Sequence, residues 1–312
     1  MAAETIKVGK HQIDTKEYLA PGHTFCTGCG EALAIRMVCK ALGENTIIAM
    51  ATGCDEVCTS PLPVTSWNLP WLHTLFENTG AEISGAEAGL KAMMRKGKAP
   101  KRDIKFVAMG GDGGTSDIGL QSLSGALERG HDFLYVCWDN EAYMNTGIQR
   151  SSSTPWGAST TTAPAGTESI GQSTQKKNMV EICAAHDIPY VATANPSYPF
   201  DLFEKVKRAV ETKGPAYIHM YAVCPTGWRT RSNQTINVGK LAVETGVFPL
   251  YEIINGRYRI NVKPAKLKPV AEYLRPQGRF RHLTPENIET IQKNTTEYWE
   301  KLNERAKFFP AE

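Results

Sequence analysis

One stretch, Gly110-Gly111-Asp112-Gly113-Gly114-Thr115-Ser116-Asp117, constrains this 312-residue chain more than any other. The apolar run before it, Ile104 to Met109, reads as a buried strand. The periodic segment after it, Asp117 to Arg129, reads as a helix closed by Gly130. A strand, a glycine-rich turn and a helix start make a place for phosphate oxygens. Glycines let the backbone approach the anion, and the free N–H groups of the first turn point at it. An aspartate in that turn would repel bare phosphate, so a cation belongs between them. Mg²⁺ takes one or two carboxylates together with phosphate oxygens in a tight octahedron. The turn therefore predicts a magnesium diphosphate.

A second segment completes it. After Gly113 come 26 residues and then Asn140, in Asp139-Asn140-Glu141-Ala142-Tyr143-Met144-Asn145-Thr146-Gly147. This segment also follows an apolar run, Phe133 to Trp138, which places it at a strand's carboxyl end. An Asn side-chain oxygen and a nearby carbonyl would finish the protein's share of the octahedron. Gly-Asp by itself is more often only a turn. Gly-Asp-Gly, a spacer of this length and then Asn is the pattern of thiamine-diphosphate enzymes.

Composition removes several other classes. With 41% hydrophobic and 21% charged residues, the chain has an ordinary globular balance. A net charge of +3 without a basic, aromatic-interleaved block gives no case for nucleic acid. No apolar run is long enough to span a bilayer, and Met1 to Lys16 lacks a signal-peptide core. The reading is a cytoplasmic protein that uses no membrane.

Along the chain, apolar strands alternate with periodic helices. Helices are expected from Cys29 to Gly43, Thr79 to Arg95, Lys177 to His186 and Phe200 to Thr212. Strands are expected at Thr46 to Met50, Tyr190 to Ala194 and Ala216 to Val223, besides the two already named. This alternation predicts an α/β fold with a doubly wound, mainly parallel sheet. The loop carrying Pro61, Pro63, Trp67, Pro70 and Trp71 is too apolar to be solvated linker. Arg150 to Gly171 reads as either a flexible loop or a functional lid or interface loop. The divisions expected are an N-terminal arm (1–30), an α/β domain (31–228) and a C-terminal extension (229–312). That extension should hold short strands at Tyr251 to Ile254 and Tyr258 to Val262, then a charged helix from Pro285.

Ligands of open parallel sheets bind beyond the strands' carboxyl ends. Four such ends carry unusual residues here: Cys54, Asp112, Asn140 with Asn145, and Cys224. Cys26-Thr27-Gly28-Cys29, before a helix, could complete a four-thiolate set with Cys54 and Cys224. Four thiolates suit zinc or an iron–sulfur cluster, and spacing does not separate the two. Placement beside a cofactor that makes carbanions favours an electron acceptor. The plainer alternative leaves Cys54 and Cys224 as buried small hydrophobes, the reading preferred for Cys39, Cys137 and Cys183. Cys58 is undecided. His23 is a candidate base or a local hydrogen-bonding group. His73 and His219 lie in apolar runs and read as satisfied core histidines.

Several motifs occur in an order that resembles the β subunit of 2-oxoacid:ferredoxin oxidoreductases, the pyruvate enzymes (pyruvate synthases) most of all. They are Pro21-Gly22-His23-x-x-Cys26-x-Gly28-Cys29-Gly30, Ala51-Thr52-Gly53-Cys54, Gly110 to Gly114, Asp139 to Ser152, and Cys224-Pro225-Thr226-Gly227-Trp228. A looser echo lies at Gly278-Arg279-Phe280-Arg281-His282-Leu283. The resemblance implies the thiamine-diphosphate-binding fold of the diphosphate half. It implies that Cys26, Cys29, Cys54 and Cys224 hold a 4Fe-4S cluster, and that Asp112, Asn140 and the Ala142 carbonyl hold Mg²⁺. Gly53, Gly111, Gly113, Gly114 and Thr115 would then receive the cofactor, with Asn145 and Thr146 facing cofactor and substrate. The implied reaction is oxidative decarboxylation of a 2-oxoacid, with coenzyme A accepting the acyl group in the pyruvate case and electrons passing through the cluster to ferredoxin. A pyrimidine-half subunit and further subunits would be partners. Oxalate and other 2-oxoacids are alternative substrates within the family. A non-oxidative thiamine decarboxylase half and a non-catalytic zinc-binding interaction subunit are the alternatives outside it.

Overall fold

The four strands that end in unusual residues are immediate neighbours in one sheet. The computed structural model describes residues 5–8, 11–61 and 63–311, so residues 1–4, 9 and 10 of the expected N-terminal arm lie outside the described residues.

Strands β1 (Thr5–Val8) and β2 (His11–Asp14) pair with each other as an antiparallel hairpin. Helix α1 (Gly30–Leu42) follows the Cys-x-x-Cys turn and ends at Gly43, whose φ of 78° is the left-handed conformation that glycine supplies cheaply. Strand β3 (Thr46–Ala51) leads into the single turn α2 (Cys54–Val57), and β4 (Trp71–Thr74) forms one edge of the sheet. The small-residue helix α3 (Thr79–Arg95) precedes β5 (Lys105–Gly111), and α4 (Leu120–Glu128) leads to β6 (Leu134–Asp139). After a long ordered coil come α5 (Met179–Ala184), β7 (Tyr190–Ala194), α6 (Pro199–Glu211) and β8 (Ala216–Tyr221). The turn α7 (Pro225–Trp228) and helix α8 (Thr235–Glu244) follow. The chain closes with β9 (Tyr251–Ile254), β10 (Arg257–Ile260), α9 (Val270–Leu274) and α10 (Pro285–Phe308). Helix α10 begins with a reciprocal cap between Thr284 and Asn287 and with Pro285 in its first turn.

The eight-stranded sheet runs β10-β9-β7-β8-β6-β5-β3-β4 and is parallel except for β9 and β10. The doubly wound expectation therefore holds. One face packs α1 and α6 through Ile35, Val38, Leu202 and Val206. The other packs α3, α4, α5 and α10 through Ile83, Leu123, Val180 and Leu302. Strands buried on both faces need continuous apolar runs, which is what β6 and β8 carry. The hairpin of β9 and β10 pairs antiparallel with β7, so strands of the 229–312 segment extend the same sheet.

Three local expectations need correction. Asp117 to Arg129 is not one α-helix: a π-helical turn, Gly114–Ile118, comes first, with Gly119 lying tightly against the Gly114 and Glu77 carbonyls. Arg150 to Gly171 is not a wholly exposed loop, because Ser151, Ser153, Thr154 and Ala158 are buried while most of Thr161 to Ser169 is exposed. His73 is exposed on the edge strand, where it bonds Thr52 Oγ1 at 2.8 Å. His219, by contrast, is a buried and satisfied core histidine.

Candidate cofactor site

Gly111 of β5 pairs with Trp138 of β6, so Asp112 and Asn140 step off adjacent strands at the same edge. Asp112 is 1% exposed; its Oδ2 accepts a hydrogen bond from Ser151 Oγ, and its Oδ1 has no partner. Asn140 is 6% exposed. Its Nδ2 donates to Glu31 Oε2 at 3.1 Å, its main-chain oxygen accepts from Trp228 Nε1 at 2.7 Å, and its Oδ1 has no partner. A buried polar atom left unpaired costs about 1–3 kcal/mol, so two at neighbouring strand ends call for a common partner. A carboxylate oxygen and an amide oxygen are hard donors of the kind Mg²⁺ takes. Ala142, three residues beyond Asp139, is buried beside them. Burial holds the Asp112 carboxyl well above the usual range, and the nearby Asp139 charge adds to the shift. A divalent cation would reverse that balance. These residues fit the metal.

The turn around them is built for close approach. A Cβ on Gly111 would face open space, whereas one on Gly113 would run into the Tyr143 ring. Gly114 lies close to the Phe76 carbonyl. The Thr115 hydroxyl points inward, 3.1 Å from Tyr135 Oη and near the Gly110 carbonyl, which leaves its main chain as the part available to an anion. Gly53 is the N-cap residue of α2. Asn145 and Thr146 stand apart from this buried group on an exposed turn, where Thr146 Oγ1 donates to Gln149 Oε1 at 2.6 Å.

The cysteine arms come to the same edge. Cys29 is the N-cap of α1, Cys54 opens α2 and Cys224 is the N-cap of α7. Gly30 N donates to Val223 O at 2.9 Å, and a Cβ on Gly30 would stand 2.8 Å from both Val223 N and Val223 O. That glycine lets the Cys29 and Cys224 arms touch. Gly227 N donates to Cys224 Sγ at 3.3 Å. Cys29 N donates to the Cys26 carbonyl at 3.0 Å, and Thr24 N to the Cys58 carbonyl at 2.8 Å, which ties the Cys26 turn to the end of α2. Burial, then the Glu31 charge, pushes the Cys29 and Cys54 thiols up, and burial takes Cys224 to about 11. Among the described residues, no three His, Cys, Asp or Glu side chains converge on one point. A four-iron cluster spreads its thiolates around a cube and needs no such point. Free thiols at the starts of α1, α2 and α7, with Gly227 N aimed at Cys224 Sγ, fit that group. Cys39, Cys137 and Cys183 are fully buried in the core.

Near the Asp112 turn lies a charged network that the motifs do not announce. Asp139, fully buried, meets Lys176 at 2.6 Å and His219 Nε2 at 2.7 Å. Burial would raise its carboxyl, but Lys176 and His219 hold it below the ordinary range. Glu141, at φ 68°, pairs with Lys176 at 2.9 Å and with Arg279 at 2.5 Å. Glu31 and Asp55 form a second buried acidic pair next to the cysteine arms. Burial, then Asp55, holds Glu31 well above its usual range, and burial pushes Asp55 to about 7. Glu31 reads in sequence as a routine acidic first-turn residue; its place directly after Cys29-Gly30 is the only signal.

The chain matches the family model "Thiamine pyrophosphate enzyme, C-terminal TPP binding domain" over residues 51–220. It is 59% identical over 283 residues to pyruvate synthase subunit PorB of Methanocaldococcus jannaschii, covering 90% of this chain and 95% of the relative. It is 49% identical over 299 residues to ketoisovalerate oxidoreductase subunit VorB of Pyrococcus furiosus, covering 95% and 96%. A solved 2-oxoglutarate:ferredoxin oxidoreductase from Magnetococcus marinus superposes with a TM-score of 0.55 at 19% identity, over 92% of each chain, which supports the fold alone.

Proposed function

Because the chain belongs to the family of 2-oxoacid:ferredoxin oxidoreductase β subunits, and so is one subunit of a larger thiamine-diphosphate enzyme, we propose that it serves the oxidative decarboxylation of pyruvate. The observation that carries the metal-diphosphate part of this reading is the pair of orphaned buried oxygens, Asp112 Oδ1 and Asn140 Oδ1, at adjacent strand ends.

Asp112, Asn140 and the Ala142 carbonyl hold Mg²⁺ against the diphosphate. The main chain of Gly53, Gly111, Gly113, Gly114 and Thr115 receives the cofactor, and the bare Gly53 leaves room for the Asp55 carboxylate beside it. Asn145 and Thr146 face cofactor and substrate from their exposed turn, where the pyrimidine-half subunit docks. Cys26, Cys29, Cys54 and Cys224 hold a 4Fe-4S cluster. When bound, thiamine diphosphate would supply carbanion chemistry at a 2-oxo carbon, and a 4Fe-4S cluster would supply one-electron acceptance towards ferredoxin. This chain's own work is to orient the diphosphate, keep water from the buried edge and fix the thiolates near it. Coenzyme A accepts the acyl group, and the complex works in the cytoplasm.

Pyruvate is favoured by the 59% identity to a pyruvate synthase subunit; the 49% identity to a ketoisovalerate oxidoreductase subunit supports a branched-chain 2-oxoacid as the second reading. A panel of 2-oxoacids and oxalate, run on the intact complex with a low-potential dye, decides between them. The expected result is the highest kcat/KM with pyruvate, and no turnover by this chain without its partner. A higher kcat/KM with another acid overturns the substrate, and turnover by the isolated chain overturns the divided site.

A further inference from the structure

The Asn140 carboxamide can offer a cation its oxygen or its nitrogen, and only the oxygen binds. The partner of Nδ2 decides which is offered, and a second contact fixes the residue's main chain. Nδ2 donates to Glu31 Oε2 at 3.1 Å, and the main-chain oxygen is fixed by Trp228 Nε1 at 2.7 Å. Glu31 and Trp228 are 2% and 0% exposed, so water does not replace either partner. With Nδ2 committed to the carboxylate, Oδ1 is left buried and unpartnered. Glu31 stands two residues after Cys29, and Trp228 four after Cys224, on arms joined by the Gly30 N to Val223 O bond of 2.9 Å.

We propose that Glu31 is a positioning residue for the metal, accepting from Asn140 Nδ2 so that Asn140 Oδ1 is presented to Mg²⁺. This rests on the reading of Asp112 and Asn140 as metal ligands. It makes the Cys29 arm part of the metal site's outer shell, so the cysteine arms and the diphosphate site are built as one unit. The role needs an acceptor oxygen towards Nδ2, which a carboxylate presents on both its oxygens, whereas a carboxylic acid or an amide presents one only in some orientations. Partners that orient a metal ligand typically change metal affinity about 10- to 100-fold when removed.

The test uses Mn²⁺ as a paramagnetic probe, titrated with thiamine diphosphate into the intact complex and followed by electron spin resonance. Iron content and thermal melting of each variant report assembly. Glu31→Ala should weaken Mn²⁺ by about 10- to 100-fold, and Glu31→Leu should do the same where the alanine variant does not assemble. Glu31→Gln keeps an acceptor oxygen in one of its two amide orientations and should lose less Mn²⁺ affinity than Glu31→Ala. In an Asn140→Ala background, Glu31→Ala should add nothing further. If Asn140→Ala leaves Mn²⁺ affinity unchanged, the ligand reading itself fails. If Asn140→Ala weakens binding but Glu31→Ala does not, only the positioning role fails. Additive losses in the double variant also overturn it.

Discussion

Arg279 and Glu141, 138 residues apart, meet in a 2.5 Å ion pair with each side chain only 3% exposed. The same guanidinium lies 3.9 Å from the Trp228 ring centroid, and Trp228 in turn bonds the Asn140 carbonyl. One residue of the C-terminal segment thus braces both the metal turn and the Cys224 arm. Glu141 needs that brace, since its backbone sits at φ 68°.

Replacing Arg279 with Met should therefore cost about 3 kcal/mol, the low end for breaking a buried pair because Lys176 still faces Glu141. Thermal melting of the complex should fall, with weaker thiamine-diphosphate binding. An unchanged melting curve and unchanged cofactor affinity would show that the brace carries no weight.

The strand-end chemistry is legible in sequence because each motif directly follows an apolar run of strand length. Cys54, Asp112, Asn140 and Cys224 can be assigned to one edge before any coordinates. The buried charges are not legible. Glu31, Lys176 and Arg279 look like ordinary surface residues until partners distant in sequence close over them. Strand β4 is hidden because its four residues, Trp71–Thr74, show no clear alternation, and its edge position is why His73 is exposed in an apolar run. The π-helical turn depends on Gly119 fitting against two carbonyls, a tertiary fact with no local signature.

Acid should loosen the C-terminal hairpin through Glu252. Burial would raise its carboxyl, but Asn261, Tyr190 and Arg208 hold it below its ordinary value of 4.5. A depressed folded value means this stabilisation is complete above about pH 5 and is lost as pH falls through the folded value. The stability gap between native protein and Glu252→Gln should thus shrink steadily as pH falls below 4.5. Urea titrations across that range check it; a gap that stays constant would remove Glu252 from the acid response.

Cys54→Ser should lower iron content and bleach the visible absorption of the complex, because one of four thiolates is lost. Cys39→Ser, in the core between α1 and the sheet, should keep its iron and cost only about 1–3 kcal/mol for a buried hydroxyl. Full iron and full activity in Cys54→Ser would shift the ligand set, with Cys58 the nearest replacement on the same turn.

The central claim is that the Asp112 turn holds a magnesium diphosphate, and calorimetry of thiamine diphosphate with Mg²⁺ on the intact Asp112→Ala complex tests it most directly. Removing the buried carboxylate should weaken binding by more than about a hundredfold, the size expected when one charge of a buried pair is uncovered, while iron content stays at the native level. Native affinity in a folded, iron-replete Asp112→Ala complex would contradict the account.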